Sequence, residues 1–204
     1  MRVSKLFGWF LCLVLFCGLS APLLMAGIWN EATKLTFNQP VEIPGRVLPA
    51  GTYWFSLMND DSERNMVRVW NSDRTQLVAT IRSVPDYRLK PKGRTVIKFE
   101  ELKPHTPEAL QAWFYPGDDY GHEFVYPEDH ARELAQRTGK AVLSMNNDLA
   151  PNITKPSTSV NDPSVQALKQ ANVKAITPNG QQTDVAKAVQ LTPQASTKPA
   201  TANR

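Results

Sequence analysis

The chain is 204 residues long, 42% apolar and 21% charged, which is room for one ordinary domain with appended segments rather than two full cores. Its formal charge of +4 is spread without a dense basic stripe, and this disfavours nucleic acid as a partner. Both cysteines, Cys12 and Cys17, fall in one N-terminal apolar run, so the remainder can form no disulfide, thiolate nucleophile or cysteine metal site.

Arg2 and Lys5 precede residues 6–28, which carry no charge, and this is the pattern of a secretory signal. Pro22 breaks the apolar helix and the small residues Ala26 and Gly27 offer a processing site, so residues 1–26 are expected to be a signal peptide. An uncharged run of this length can also cross a bilayer uncleaved, and an N-terminal membrane anchor is the second reading. A lipoprotein is disfavoured because Phe16 precedes Cys17 where processing needs a small residue. Either way the address is outside the cytoplasm, periplasmic or secreted.

Leu35, Phe37, Val41 and Ile43 alternate across Pro40 and predict an edge strand bent at a proline. Turn residues at Pro44–Gly45 and 49–51 lead into residues 52–58, apolar on both faces and therefore expected to be a central strand. Residues 66–71 and 76–82 predict a hairpin in which Val67 and Val69 face Leu77, Ala79 and Ile81. After a turn at Lys92 and Gly93, residues 95–101 predict another strand. A short helical turn is expected at 106–108, feeding an extended quartet at 112–115.

Residues 123–126 predict a further strand, and Pro127 opens a helix with an Ala131, Leu134, Ala135 stripe, four-apart pairs Glu128–Arg132 and Glu133–Arg137, and Gly139 at its end. Residues 141–145 are expected to return as a last strand. Beyond them, residues 146–204 contain no aromatic residue and six prolines, the composition of a disordered tail rich in Pro, Ala, Thr and Gln. Asp162 and Pro163 could still open a short helix within it. The expected organisation is a signal peptide at 1–26, a β domain at 28–145 and a disordered tail at 146–204. The fold class is all-β, a small antiparallel sandwich or open barrel with one accessory C-terminal helix.

The stretches Leu-Pro-Ala-Gly-Thr-Tyr at 48–53 and Ala-Trp-Phe-Tyr-Pro-Gly, opening 112–127, resemble an uncharacterised family of exported bacterial proteins. The resemblance covers roughly residues 33–145. It implies an exported module and transfers no catalytic residue.

Two groups of side chains are candidates for a site. Trp113, Tyr115, Tyr120 and Tyr126, interleaved with Gly117 and Gly121, could form a ring platform for a sugar or peptide, although most of these rings are expected in the core, with Trp113 and Tyr120 the two expected to be exposed. Asp118, Asp119, His122 and Glu123 could ligate a divalent metal. Their spacing fits neither a zinc-protease helix, since Tyr126 stands where the second histidine belongs, nor a calcium loop. His130 is expected at the surface and His105 in a loop. Glu100 with Glu123 could act as a carboxylate pair only if they come close.

The serine-hydrolase elbow, the phosphate loop and the dinucleotide glycine pattern are all missing from the sequence, and no cofactor is expected. The reading is therefore an exported, non-enzymatic module that binds or supports something at the cell envelope, a glycan or a protein. Membrane contact is expected only through an uncleaved N-terminal segment. The alternative is a metal- or carboxylate-dependent hydrolase using the acidic cluster from Asp118 to His130.

Overall fold

A computed structural model of the chain describes residues 32–58, 65–100 and 107–186. The expected signal segment, His105 and residues 187–204 lie outside them. The body is mostly β, as expected. Nine strands share one sheet: β1 (Ala32–Phe37), β2 (Val41–Ile43), β3 (Arg46–Leu48), β4 (Gly51–Leu57), β5 (Met66–Trp70), β6 (Leu77–Tyr87), β7 (Val96–Glu100), β8 (Glu108–Phe114) and β9 (Tyr120–Phe124). Their order is β1-β4-β5-β6-β9-β8-β2-β3, and β7 takes the other edge of β8.

The length of β6 organises this sheet. Its first half pairs antiparallel with β5, Met66 opposite Arg82, and its second half pairs with β9, Ser83 opposite Phe124. A flat sheet would separate β4 from β8 by four strand spacings, about 19 Å. Yet Phe55 on β4 lies 6.4 Å, ring centre to ring centre, from Trp113 on β8 and 6.3 Å from Phe124 on β9. The sheet therefore curls over on itself, with these rings inside beside Val67, Val69, Ala79 and Ile81. The two ends of the curl approach each other: Thr95, just before β7, donates to Thr33 of β1 through their hydroxyls at 3.5 Å. This is the open-barrel form of the expected class.

Local chemistry explains the hairpin between β5 and β6. Asn71 Oδ1 accepts from Gln76 N at 3.0 Å, Asn71 Nδ2 donates to Thr75 Oγ1 at 2.9 Å, and Arg74 takes the left-handed conformation at φ 60°. Val67 meets Ile81 and Val69 meets Ala79, as expected, but a bulge between Val69 and Trp70 sets Leu77 opposite Trp70. Glu108 already belongs to β8, so the expected helical turn does not extend to it.

A smaller sheet follows: β10 (Tyr126–Pro127), β11 (Val142–Met145), β12 (Lys174–Ile176) and β13 (Gln182–Thr183), in that order. Helix α1 (Glu128–Thr138) packs on it, burying Ala131, Leu134 and Ala135. Gly139 closes α1 in the left-handed conformation at φ 71°, its N–H bonded to Ala135 O. Glu128 and Arg132 pair at 2.6 Å.

The expected disordered tail is corrected for residues 147–186. They form a 3-10 turn (Asn147–Leu149), α2 (Ala150–Thr154), α3 (Pro163–Lys169), β12 and β13. Asp162 caps α3 by accepting from Ser164 N at 2.9 Å, with Pro163 in the first turn. Helices α2 and α3 contact β6, and Arg68 of β5 donates to Thr158 O at 2.7 Å. The physical reason is that Ile153, Val165 and Leu168 are buried on the helices that cover β6, and Ala175 and Ile176 are buried in the smaller sheet, all without any aromatic ring. β12 also hydrogen-bonds the edge of β11, Val142 opposite Ile176.

Leu168→Ala should therefore lower the unfolding free energy by about 2–5 kcal/mol, the cost of a core cavity. Urea denaturation followed by tryptophan fluorescence measures it, and a loss below about 0.5 kcal/mol would return this segment to solvent.

Candidate functional site

Strand β9 holds the centre of both candidate groups, and its alternation sends them to opposite sides. Tyr120, His122 and Phe124 point into the curl, whereas Gly121 and Glu123 point outward, because successive side chains in a strand alternate. On the inside, His122 is fully buried, 5.5 Å from the ring of Trp113 and 5.1 Å from that of Tyr120, with Ser83 Oγ 3.4 Å from its Nδ1. Tyr120 in turn meets Tyr87 edge to face at 5.6 Å. The rings thus form a row from the core at Phe55 out to the mouth of the curl at Tyr87.

On the outside, Glu123 stands opposite Val84 of β6 and Ala112 of β8. Asp86 lies two pairs further along on the same face, and Lys98 of β7 binds it at 2.7 Å. Gln111 is the extra residue of a bulge: Lys98 pairs with Ala112 and Phe99 with Leu110. That irregularity brings its side chain to Glu123, to which it hydrogen-bonds. Burial pushes the Glu123 carboxyl up to about 7, and the charges of Asp86 and Glu100 add to the shift, while Lys98 and Gln111 offset part of it. A carboxyl poised at neutral pH can deliver or take a proton.

Phe114 covers the neighbouring stretch of this outer face. Its ring lies across Gly121, where an added Cβ would come within 2.5 Å of it, so only glycine fits there. Arg88 and Lys98 sit over the same ring at 4.9 and 4.8 Å.

The platform reading of the four rings is corrected in part. Trp113 and Tyr126 are buried, the first in the core of the curl and the second donating its hydroxyl to Leu110 O at 2.8 Å, because both lie on inward strand positions. Tyr115 and Tyr120 are half-buried. Asp118, Asp119, His122 and Glu123 do not converge: the first two lie in the turn before β9, and the last two face opposite sides of it. Among the described residues no group of three or more His, Cys, Asp and Glu side chains is placed to hold a metal ion.

His130 is not a plain surface residue. It binds the carboxylate of Glu42 on β2, and its ring meets Tyr126 edge-on at 5.1 Å. Arg137, two turns along α1, reaches the same carboxylate at 3.5 Å. Burial alone would raise the Glu42 carboxyl, but these two partners outweigh it and hold it below its ordinary value. This pair of contacts fastens the helix to the barrel.

Sequence reasoning missed Asp86, Lys98 and Gln111, which reach Glu123 only through strand pairing and a bulge. It also passed over the run Arg88, Lys90, Lys92 and Arg94, whose spacing was visible in the chain.

The Glu123 carboxyl titrates about 7 in the fold against 4.5 when free, so the folded state holds a proton that the unfolded chain releases between those values. Stability from this group is full below pH 4.5 and falls as the pH rises toward 7, by about 3 kcal/mol at most. Glu123→Gln should flatten that dependence and raise stability at pH 8, as thermal melts across pH 4–8 would show. A slope unchanged by the substitution would contradict the assignment.

Compared with known proteins, the chain matches no protein-family model, no curated protein and no solved structure.

Proposed function

We propose that the chain is an exported, non-enzymatic β module that binds or supports a component of the cell envelope. Export is supported by Arg2 and Lys5 ahead of the uncharged residues 6–28 and by the resemblance of the 48–53 and 112–127 motifs to exported bacterial proteins. One observation carries the binding role. At the mouth of the curl Tyr87 is 69% exposed and Leu89 fully so, with Tyr120 against Tyr87. Apolar groups gathered at one end of a body, and held in water, mark a contact surface. In cells expressing the full chain the protein should fractionate with the envelope. Replacing Tyr87→Ala together with Leu89→Ser should cut its retention on sedimented, lipid-free peptidoglycan or whole envelope fragments at least fivefold, with an unchanged melting temperature. Undiminished retention would remove the role from this surface.

A carboxylate-dependent hydrolase is the second reading, favoured by Glu123 held near neutrality beside Asp86 and Glu100. Turnover of a panel of esters and glycosides that depends on an ionisation near pH 7 and disappears in Glu123→Gln would replace the first reading.

A further inference from the structure

We infer that the loop of residues 87–94 docks the protein on an anionic bilayer, seating Leu89 and Tyr87 among the headgroups and Lys90, Lys92 and Arg94 on their phosphates. This rests on the envelope reading above and names lipid as the partner of that end of the barrel.

The loop reads Tyr-Arg-Leu-Lys-Pro-Lys-Gly-Arg, with a cation at every second position and no carboxylate. Side chains of this composition suit an interface, where an apolar residue enters the acyl boundary and cations meet phosphate. Lys90, Lys92 and Arg94 are exposed and Leu89 reaches 102% relative exposure.

The tip cannot fold back, because both flanks are tied to the turn before β9. Arg88 N donates to Asp119 O at 2.8 Å, Arg88 Nε to Asp118 O at 2.7 Å, and Gly117 N to Lys92 O at 2.8 Å. The carboxylates of that turn, Asp118 and Asp119, stand against four loop cations, a balance of +2. Asp86 is engaged by Lys98.

Where the chain enters the body supplies the independent argument. β1 starts at Ala32, and Thr33 is bonded to Thr95, the residue directly after the loop's last cation. Residues 6–28 carry no charge, and 23 residues are enough to cross a bilayer as a helix. Only residues 29–31 separate that run from β1, among them Trp29, a residue type favoured at the lipid interface. A membrane holding the N-terminal run, in transit or permanently, therefore faces the mouth of the curl and the basic loop together.

The test places a nitroxide at residue 89 of the full chain, as Leu89→Cys with Cys12→Ser and Cys17→Ser. The protein is reconstituted in vesicles of phosphatidylcholine alone or mixed with phosphatidylglycerol. On the mixed vesicles the label should become shielded from a water-soluble relaxation agent and accessible to oxygen. High salt should reverse this. Lys90→Glu with Lys92→Glu should weaken the shielding about tenfold or more. Equal exposure to water on both vesicles would overturn the proposal. So would shielding by a soluble polyanion without lipid, which would assign the loop to an acidic polymer. Loss of lipid docking with retained binding to lipid-free peptidoglycan would sink the lipid assignment alone and leave the envelope reading standing.

Discussion

The meeting of Phe55 with Trp113 and Phe124 is the contact on which the molecule depends. These rings belong to strands separated by most of the sheet, and they touch only because β6 serves two partners along its length. Burying three large rings in one place is a strong apolar driving force, and their tilted, offset packing adds to it. Every other position follows from that curl. It sets the inside and the outside of β9, hides Trp113 and His122, and brings β1 to the start of β7.

The charged residues then divide by what the curl leaves to them. Glu42, contacted by His130 and Arg137, holds α1 on β2 at a junction where a carboxylate without partners would be costly. Asp86, Glu123 and Lys98 share a patch on the outer face, where burial of Glu123, reinforced by the neighbouring carboxylates, keeps its carboxyl protonated near neutrality. At the mouth, Lys90, Lys92 and Arg94 face solvent from a loop whose ends are bonded to a neighbouring turn. The first arrangement serves the fold, and the other two are the surfaces on which the proposed roles rest.

Residues 147–186 belong to the same economy of apolar surface. The outer side of β5 and β6 carries Met66 and Thr80, both buried, and α2 and α3 supply the cover through Ile153, Val165 and Leu168. Aliphatic side chains of moderate size do this as well as rings, since burial scales with apolar area rather than with residue type. Missing aromatics and frequent prolines therefore placed the boundary of the folded body too early.

Local pattern was enough for elements whose signals are short-range. The stripe of Ala131, Leu134 and Ala135 with Gly139 after it marks α1, Asp162 and Pro163 mark α3, and alternation marks the central strand β4. The strand expected at 123–126 instead runs over Tyr120–Phe124, and its alternation is what separates His122 from Glu123. What the chain could not announce was which strands would be neighbours. Lys98, Asp86 and Glu123 are far apart in sequence, and the bulge that turns Gln111 toward them arises from pairing between β7 and β8. The sequence by itself determined the strands of the body and the caps of α1 and α3, and it carries the charge and hydropathy pattern from which export is proposed. Only tertiary structure decided burial, charge environment and the exposure of Leu89, because these depend on long-range packing that no local periodicity encodes.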